Sequence, residues 1–181
     1  DVYKRQVVST LAGLAGAPGT ANGTGTTARF RSPAGITAHN NIVYVSDTGN
    51  HTIRRIAADG SVTTYAGLGG VAGLSNAVGT LARFNSPERL FMDVSGSLYV
   101  ADTANNAIRK IFPGGVVTTY AGTGSIGNAN GPSSRASFNV PAGVFQNPAG
   151  TVLVADTENN TIRSIVATPD TVRPTGSHAP G

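Results

Sequence analysis

The chain has 181 residues, 13 basic and 9 acidic, giving a formal net charge of +4, and only 12% of it is charged. With no cysteine there is no disulfide framework, thiolate metal site or cysteine nucleophile, and no run approaches the roughly 18 apolar residues of a membrane helix. So mild a charge is no nucleic-acid signature, while 24 glycines and 39% hydrophobic content fit a folded, turn-rich chain rather than a charged disordered one.

In chain order, residues 1–6 match no later segment and read as a leader outside the fold, the scar of an assembled sequence. Residues 7–12 read as a single outer strand ending at Gly13, followed by a Gly-rich loop. The first full unit spans residues 30–67. Its apolar run Val43-Tyr44-Val45 ends at Asp47, Thr48-Gly49-Asn50 turns the chain, and a strand from Thr52 to Ala57 meets the hairpin signal Asp59-Gly60. A last strand, Ser61 to Ala66, ends at Gly67. Residues 84–122 repeat this order, and residues 138–166 repeat its first three strands. Phe30, Phe84 and Phe138 recur at intervals of 54, each three residues before Pro33, Pro87 and Pro141. No segment carries helical apolar spacing with caps. Residues 167–181, rich in Pro, Thr and Gly, read as a linker or tail that includes His178.

A unit of some 50 residues with four antiparallel strands cannot bury both sheet faces alone. Stacking units and bending the stack predicts an all-β propeller, here three blades' worth, fewer than the roughly four of the smallest closed propellers. Two expectations follow: an open segment of a longer propeller, or two copies pairing into a six-bladed ring in which residues 7–12 complete the partner's third blade.

The string Tyr-Ala-Gly, then Phe-x-x-Pro, then Leu-Tyr-Val-Ala-Asp-Thr-x-Asn-Asn-x-Ile-Arg-Lys-Ile resembles the NHL repeat, nearly whole from Phe84 to Ile111 and from Phe138 to Ile165. The resemblance covers about residues 7–166. It implies a propeller and not one activity: such propellers include protein-binding, RNA-binding and sensor modules, and a related lyase group with a metal site.

The repeat supplies its own control, because a residue present in every blade is explained by blade construction. Asp47, Asp102 and Asp156 end a strand and are expected to accept backbone N–H bonds in the turn. Asn50, Asn105 and Asn159 suit the left-handed turn conformation. Arg54, Arg109 and Arg163 recur in register and are expected to pair with those carboxylates within or between blades; a phosphate-gripping basic ring is the alternative. Gly122-Thr123-Gly124-Ser125-Ile126-Gly127 matches the dinucleotide fingerprint, yet without a following helix its glycines read as chain reversals. Asn22, Asn50 and Asn159 begin glycosylation triplets, two of which, at Asn50 and Asn159, the turn pattern generates by itself. Lys110 and Arg55 read as solvated, and Met92 as core filling.

Glu88 and Arg89 depart from the pattern, standing where the other blades have Ala34-Gly35 and Ala142-Gly143. Adjacent charges of this kind read as a local ion pair, or as a polar anchor for a ligand at the channel mouth. With three His, at 39, 51 and 178, and no recognisable nucleophile elbow, the inventory points to no catalytic set, no metal site and no cofactor. The functional expectation is a non-catalytic scaffold for protein or glycan recognition, extracellular or in the cell envelope by composition. The alternative is a metal-dependent lyase or lactonase with part of its site in further blades.

Overall fold

The structure, a computed structural model, describes residues 7–167. The first blade holds β1 (Gly23–Thr24), β2 (Pro33–His39), β3 (Ile42–Asp47), β4 (Thr52–Ile56) and β5 (Ser61–Ala66). The second holds β6 (Ala77–Val78), β7 (Pro87–Met92), β8 (Leu98–Asp102), β9 (Ala107–Ile111) and β10 (Val116–Ala121). The third holds β11 (Pro141–Gln146), β12 (Val152–Asp156) and β13 (Thr161–Ile165). The chain forms antiparallel sheets of five, five and three strands, in the orders β1-β5-β4-β3-β2, β6-β10-β9-β8-β7 and β11-β12-β13. The fold is that of an all-β propeller, and the described residues form three blades that do not close into a ring.

Four strands per blade were expected; the fifth is a difference with a physical origin. The loop of residues 13–30 wraps the outer edge of the first blade, and its two-residue strand β1 pairs with Ser61 and Val62. In the second blade β6 does the same to Val116 and Val117. Each wrap covers an edge whose backbone groups would otherwise be open to other strands.

Turns follow the sequence. Asn40 and Asn41 both adopt positive φ, 49° and 61°, as a tight hairpin between β2 and β3 requires. The turns at Thr48–Asn50, Thr103–Asn105 and Thr157–Asn159 each end on a left-handed residue, His51, Asn106 or Asn160. His51 thus fills a turn position equivalent to asparagine. The Gly-rich segment 122–127 leads into no helix among the described residues, and Gly122, at φ 101°, lies where a Cβ would sit 2.7 Å from the Asn106 carbonyl.

Two core clusters form between blades, and a third, of Ala28, Val45, Ile56 and Val62, lies within the first blade under its wrapping loop. Ile53 and Ala66 of the first blade pack with Phe84, Leu90, Leu98 and Val100 of the second, and Met92 lies against this cluster. Ile108 and Ala121 of the second pack with Phe138, Val144, Val152 and Val154 of the third. Each fully buried side chain of this size contributes roughly 1.5–3 kcal/mol, so a blade without neighbours forfeits much of its stability. Residues 7–12, expected as an outer strand, pair with no strand among the described residues, and Val7, Val8 and Leu11 are exposed. Its place in the repeat is the edge of a blade preceding the first, which the described residues do not contain. The expected tail lies, beyond residue 167, outside the described residues, as do the leader and His178.

Candidate functional site

The recurrent charges are consumed inside each blade. Arg54 Nη1 donates to Asp47 Oδ2 at 3.0 Å and to the Arg29 carbonyl at 2.9 Å. Its Nη2 donates to the Ala21 carbonyl and to Asn22 Oδ1, at 3.0 and 2.9 Å, while the guanidinium lies 5.2 Å from the centre of the Phe30 ring. Arg109 repeats this with Asp102, Arg83, Ser75, Asn76 and Phe84, and Arg163 with Asp156, Ser137, Ala129, Asn130 and Phe138. The guanidinium therefore ties the wrapping loop to its own blade. Arg54 and Arg109 are 1% and 0% exposed, which leaves no basic ring facing a ligand there.

The aspartates reach further than their own turns. Asp47 Oδ1 accepts from the Arg31 N–H at 2.6 Å, Asp102 Oδ1 from Asn85 and Asp156 Oδ1 from Asn139, which fixes the approach to each proline. Their Oδ2 atoms accept from Asn50, Asn105 and Asn159 at 2.7 to 2.8 Å. The same asparagine amides donate to Gly19, Gly73 and Gly127 carbonyls, so the nitrogen that a glycan would need at Asn50 or Asn159 is engaged twice.

The residue after each of the first two aspartates reaches the next blade. Thr48 Oγ1 donates to the Pro87 carbonyl at 2.6 Å and Thr103 Oγ1 to the Pro141 carbonyl at 2.9 Å. His51 Nδ1 accepts from the Ser86 N–H and Asn106 Oδ1 from the Val140 N–H, both at 3.0 Å.

Glu88 and Arg89 sit on a β-bulge. Pro87 pairs with Asp102 and Leu90 with Val100, so the two charged residues oppose Ala101 alone. Bulges follow Pro33 and Pro141 as well, and a bulge re-aims side chains where it occurs. Glu88 is half-buried and Arg89 exposed. The Glu88 carbonyl accepts from Ser46 Oγ, and Arg89 Nη1 makes a long 3.4 Å contact with the Ala34 carbonyl. Neither side chain is ion-paired among the described residues, whose four salt bridges lie elsewhere. The structure thus brings the two onto one bulge and does not join them as a local pair.

Lys110 is corrected from a solvated residue to a packed one. Its Nζ donates to Tyr99 OH at 2.8 Å, lies 3.7 Å from Asp93 Oδ2 and stands 4.7 Å from the centre of the Tyr99 ring. Asp93 Oδ1 accepts from Ser95 and Ser97 N–H groups and from Ser95 Oγ. Burial raises the Asp93 pKa, but these bonds and the Lys110 charge outweigh it and hold the carboxyl below its ordinary 3.8. No group of three or more His, Asp or Glu that could hold a metal occurs among the described residues.

The family model "NHL repeat" matches residues 30–56. The same grammar recurs in the second and third blades. The chain is built of NHL repeats. It is 30% identical over 174 residues to human NHL repeat-containing protein 2, covering 82% of this chain and 24% of that protein. It also resembles the solved structure of an auxiliary nutrient binding protein from Bacteroides thetaiotaomicron, with a TM-score of 0.65 and 26% identity over 71% of this chain and 36% of that one. A second auxiliary nutrient binding protein, from Bacteroides ovatus, shares the fold with a TM-score of 0.69 at 23% identity, over 79% of this chain and 39% of that one. This NHL segment thus spans about a quarter of the human relative's length and little more than a third of either structure.

Proposed function

We propose that the chain is a non-catalytic binding scaffold whose ligand, a protein segment or a glycan, is anchored by Glu88 and Arg89. The observation that carries this reading is the contrast in charge use. Every repeated Arg and Asp is spent within a blade, whereas Glu88 and Arg89 occur in one blade only and have no ionic partner among the described residues. They lie where an inner strand begins, which in a closed propeller is the rim of the central channel. A carboxylate beside a guanidinium offers an acceptor and a forked donor, suited to hydroxyl pairs of a sugar or to a peptide's amide and carboxylate groups. The likeness to an auxiliary nutrient binding protein supports the binding class.

The test compares the chain with the double variant Glu88→Gln/Arg89→Gln on arrays of glycans and peptides. Both proteins should melt at the same temperature, because neither side chain is part of a blade's internal network. Ligands retained by the parent should be lost by the variant. Equal retention by both, or none by the parent, removes the reading. A melting temperature raised by a divalent cation would replace it with the metal-dependent lyase or lactonase alternative.

A further inference from the structure

The three Asn-x-Thr triplets of the chain begin at Asn22, Asn50 and Asn159, and the fold treats their amides in two ways. An N-linked glycan needs the Nδ2 of its asparagine. Asn50 is 2% exposed, and its Nδ2 donates to Asp47 Oδ2 and to the Gly19 carbonyl. Asn159 Nδ2 donates likewise to Asp156 Oδ2 and the Gly127 carbonyl. Asn22 is exposed, and its bonds run through the other atom. Its Oδ1 accepts from Arg54 Nη2 at 2.9 Å and from Thr64 Oγ1 at 3.5 Å. A guanidinium can only donate, so the atom that faces it is the carbonyl oxygen. Nδ2 is thereby turned away from Arg54, and it donates to no acceptor among the described residues.

The repeat separates the structural half of this triplet from the other half. Asn76 and Asn130 stand at the same position and accept from Arg109 and Arg163 in the same way, so the asparagine belongs to blade construction. The residue two places on does not. Val78 and Pro132 occupy that position in the other blades, whereas the first blade has Thr24. Neither valine nor proline supplies a hydroxyl, so the fold calls for none there, and Thr24 is exposed. The triplet also lies clear of the blade-to-blade faces. Asn76, with a blade on each side of its own, is exposed as Asn22 is.

We propose that Asn22 is the acceptor of an N-linked glycan, transferred from a polyprenyl-pyrophosphate oligosaccharide, and that Asn50 and Asn159 are not. In the transfer a bond forms between Asn22 Nδ2 and C1 of the first sugar. The bond from C1 to the pyrophosphate oxygen breaks, its electron pair leaves with the lipid pyrophosphate, and one amide proton passes to a base of the transferase. Oδ1 takes no part, so the glycosylated side chain still accepts from Arg54 and the wrapping loop stays tied to its blade. At Asn50 or Asn159 the same bond would take the amide from two acceptors that the blade needs, and a chain so modified does not complete that blade. The glycan stands on the outer rim beside β1 and β5, and requires nothing of Glu88 and Arg89.

The full chain, sent through the secretory pathway of a eukaryotic cell by an added signal peptide, should be recovered folded with a single glycan. Peptide-N-glycosidase should release it and leave an aspartate at position 22, which peptide mass spectrometry locates. Thr24→Val installs the residue that the second blade carries there. That variant should be secreted without the glycan and melt at the same temperature as the glycosylated parent. A folded parent without a glycan, a glycan on Asn50 or Asn159 of the folded chain, or one that persists in Thr24→Val would each overturn the proposal. So would a glycosylated parent that melts well below Thr24→Val, because the bond from Arg54 to Oδ1 would then not survive the sugar.

Discussion

Replacing Arg109 by Met tests how much a blade depends on its buried guanidinium. Met keeps an apolar stem of similar length against Phe84, so the change is chiefly one of charge and hydrogen bonding. It removes four bonds, to Asp102 Oδ2, the Arg83 and Ser75 carbonyls and Asn76 Oδ1, all between 2.8 and 3.0 Å. Asp102, 0% exposed, would retain only the Asn85 N–H and the Asn105 amide. Stranding one member of a buried pair costs about 3–5 kcal/mol. The Arg109 Nε is itself buried without an acceptor, so its removal recovers part of that cost and the lower end is expected. With a urea slope of about 2 kcal/mol per molar, the unfolding midpoint should fall by roughly 1.5–2 M. Arg163, 12% exposed, makes the same bonds with less burial, and Arg163→Met should cost only about 1–2 kcal/mol. The double variant Asp102→Asn/Arg109→Met should lose less than the sum of its parts, by about 1–3 kcal/mol. A loss below about 1 kcal/mol for Arg109→Met, or equal losses at 109 and 163, would refute this account.

Val140 holds φ at 53°, a left-handed conformation that a β-branched residue adopts at a cost of about 1–3 kcal/mol. Val140→Asn should therefore raise the melting temperature by roughly 2–4 °C, and an unchanged or lower value would show that the valine's packing outweighs its strain. A Cβ on Gly35 would meet Ser46 Oγ at 2.8 Å and collide with the Glu88 carbonyl of the next blade, so Gly35→Ala should destabilise by about 1–3 kcal/mol in a urea titration. Asp93 has a lowered folded pKa, hence it stabilises above its unfolded value of 3.8 and that contribution is lost as pH falls through the folded pKa. Asp93→Asn should melt below the parent at neutral pH with a gap that closes in acid; a gap independent of pH would remove the carboxylate from the explanation.

The architecture was legible because the blade grammar repeats. Asp102, Arg109 and Phe84 announce their register by recurring in three blades, and the short apolar run Leu98–Ala101, ending at an Asp-Thr turn, is easily read as a buried strand. The fifth strands were not legible, since Gly23–Thr24 and Ala77–Val78 are too short to carry any alternation. A signal did exist: Asn22, Asn76 and Asn130 recur every 54 residues, and each is an acceptor for its blade's arginine. Asn22 instead attracted attention as a glycosylation triplet. Lys110 misled for a different reason. A lysine in a sequence-read strand is usually solvated, and only the meeting of Tyr99, Phe112 and Asp93 around it shows otherwise. The bulge that presents Glu88 and Arg89 depends on a register break after Pro87, which has no counterpart in side-chain pattern.

The wrapping loops change where one repeat ends and the next begins. Arg54 takes its acceptors from residues 21, 22 and 29, well ahead of the proline that opens its inner strand. A cassette cut at Pro33 would leave that arginine's latch behind on its neighbour, whereas one cut after Ala66 or Ala121 carries latch and sheet together. Gene duplications, grafts or deletions that shuffle whole blades should therefore tolerate junctions at Gly13, Gly67 and Gly122 and reject junctions at the prolines. The heritable unit of this propeller is offset by a loop from the blade that the eye picks out.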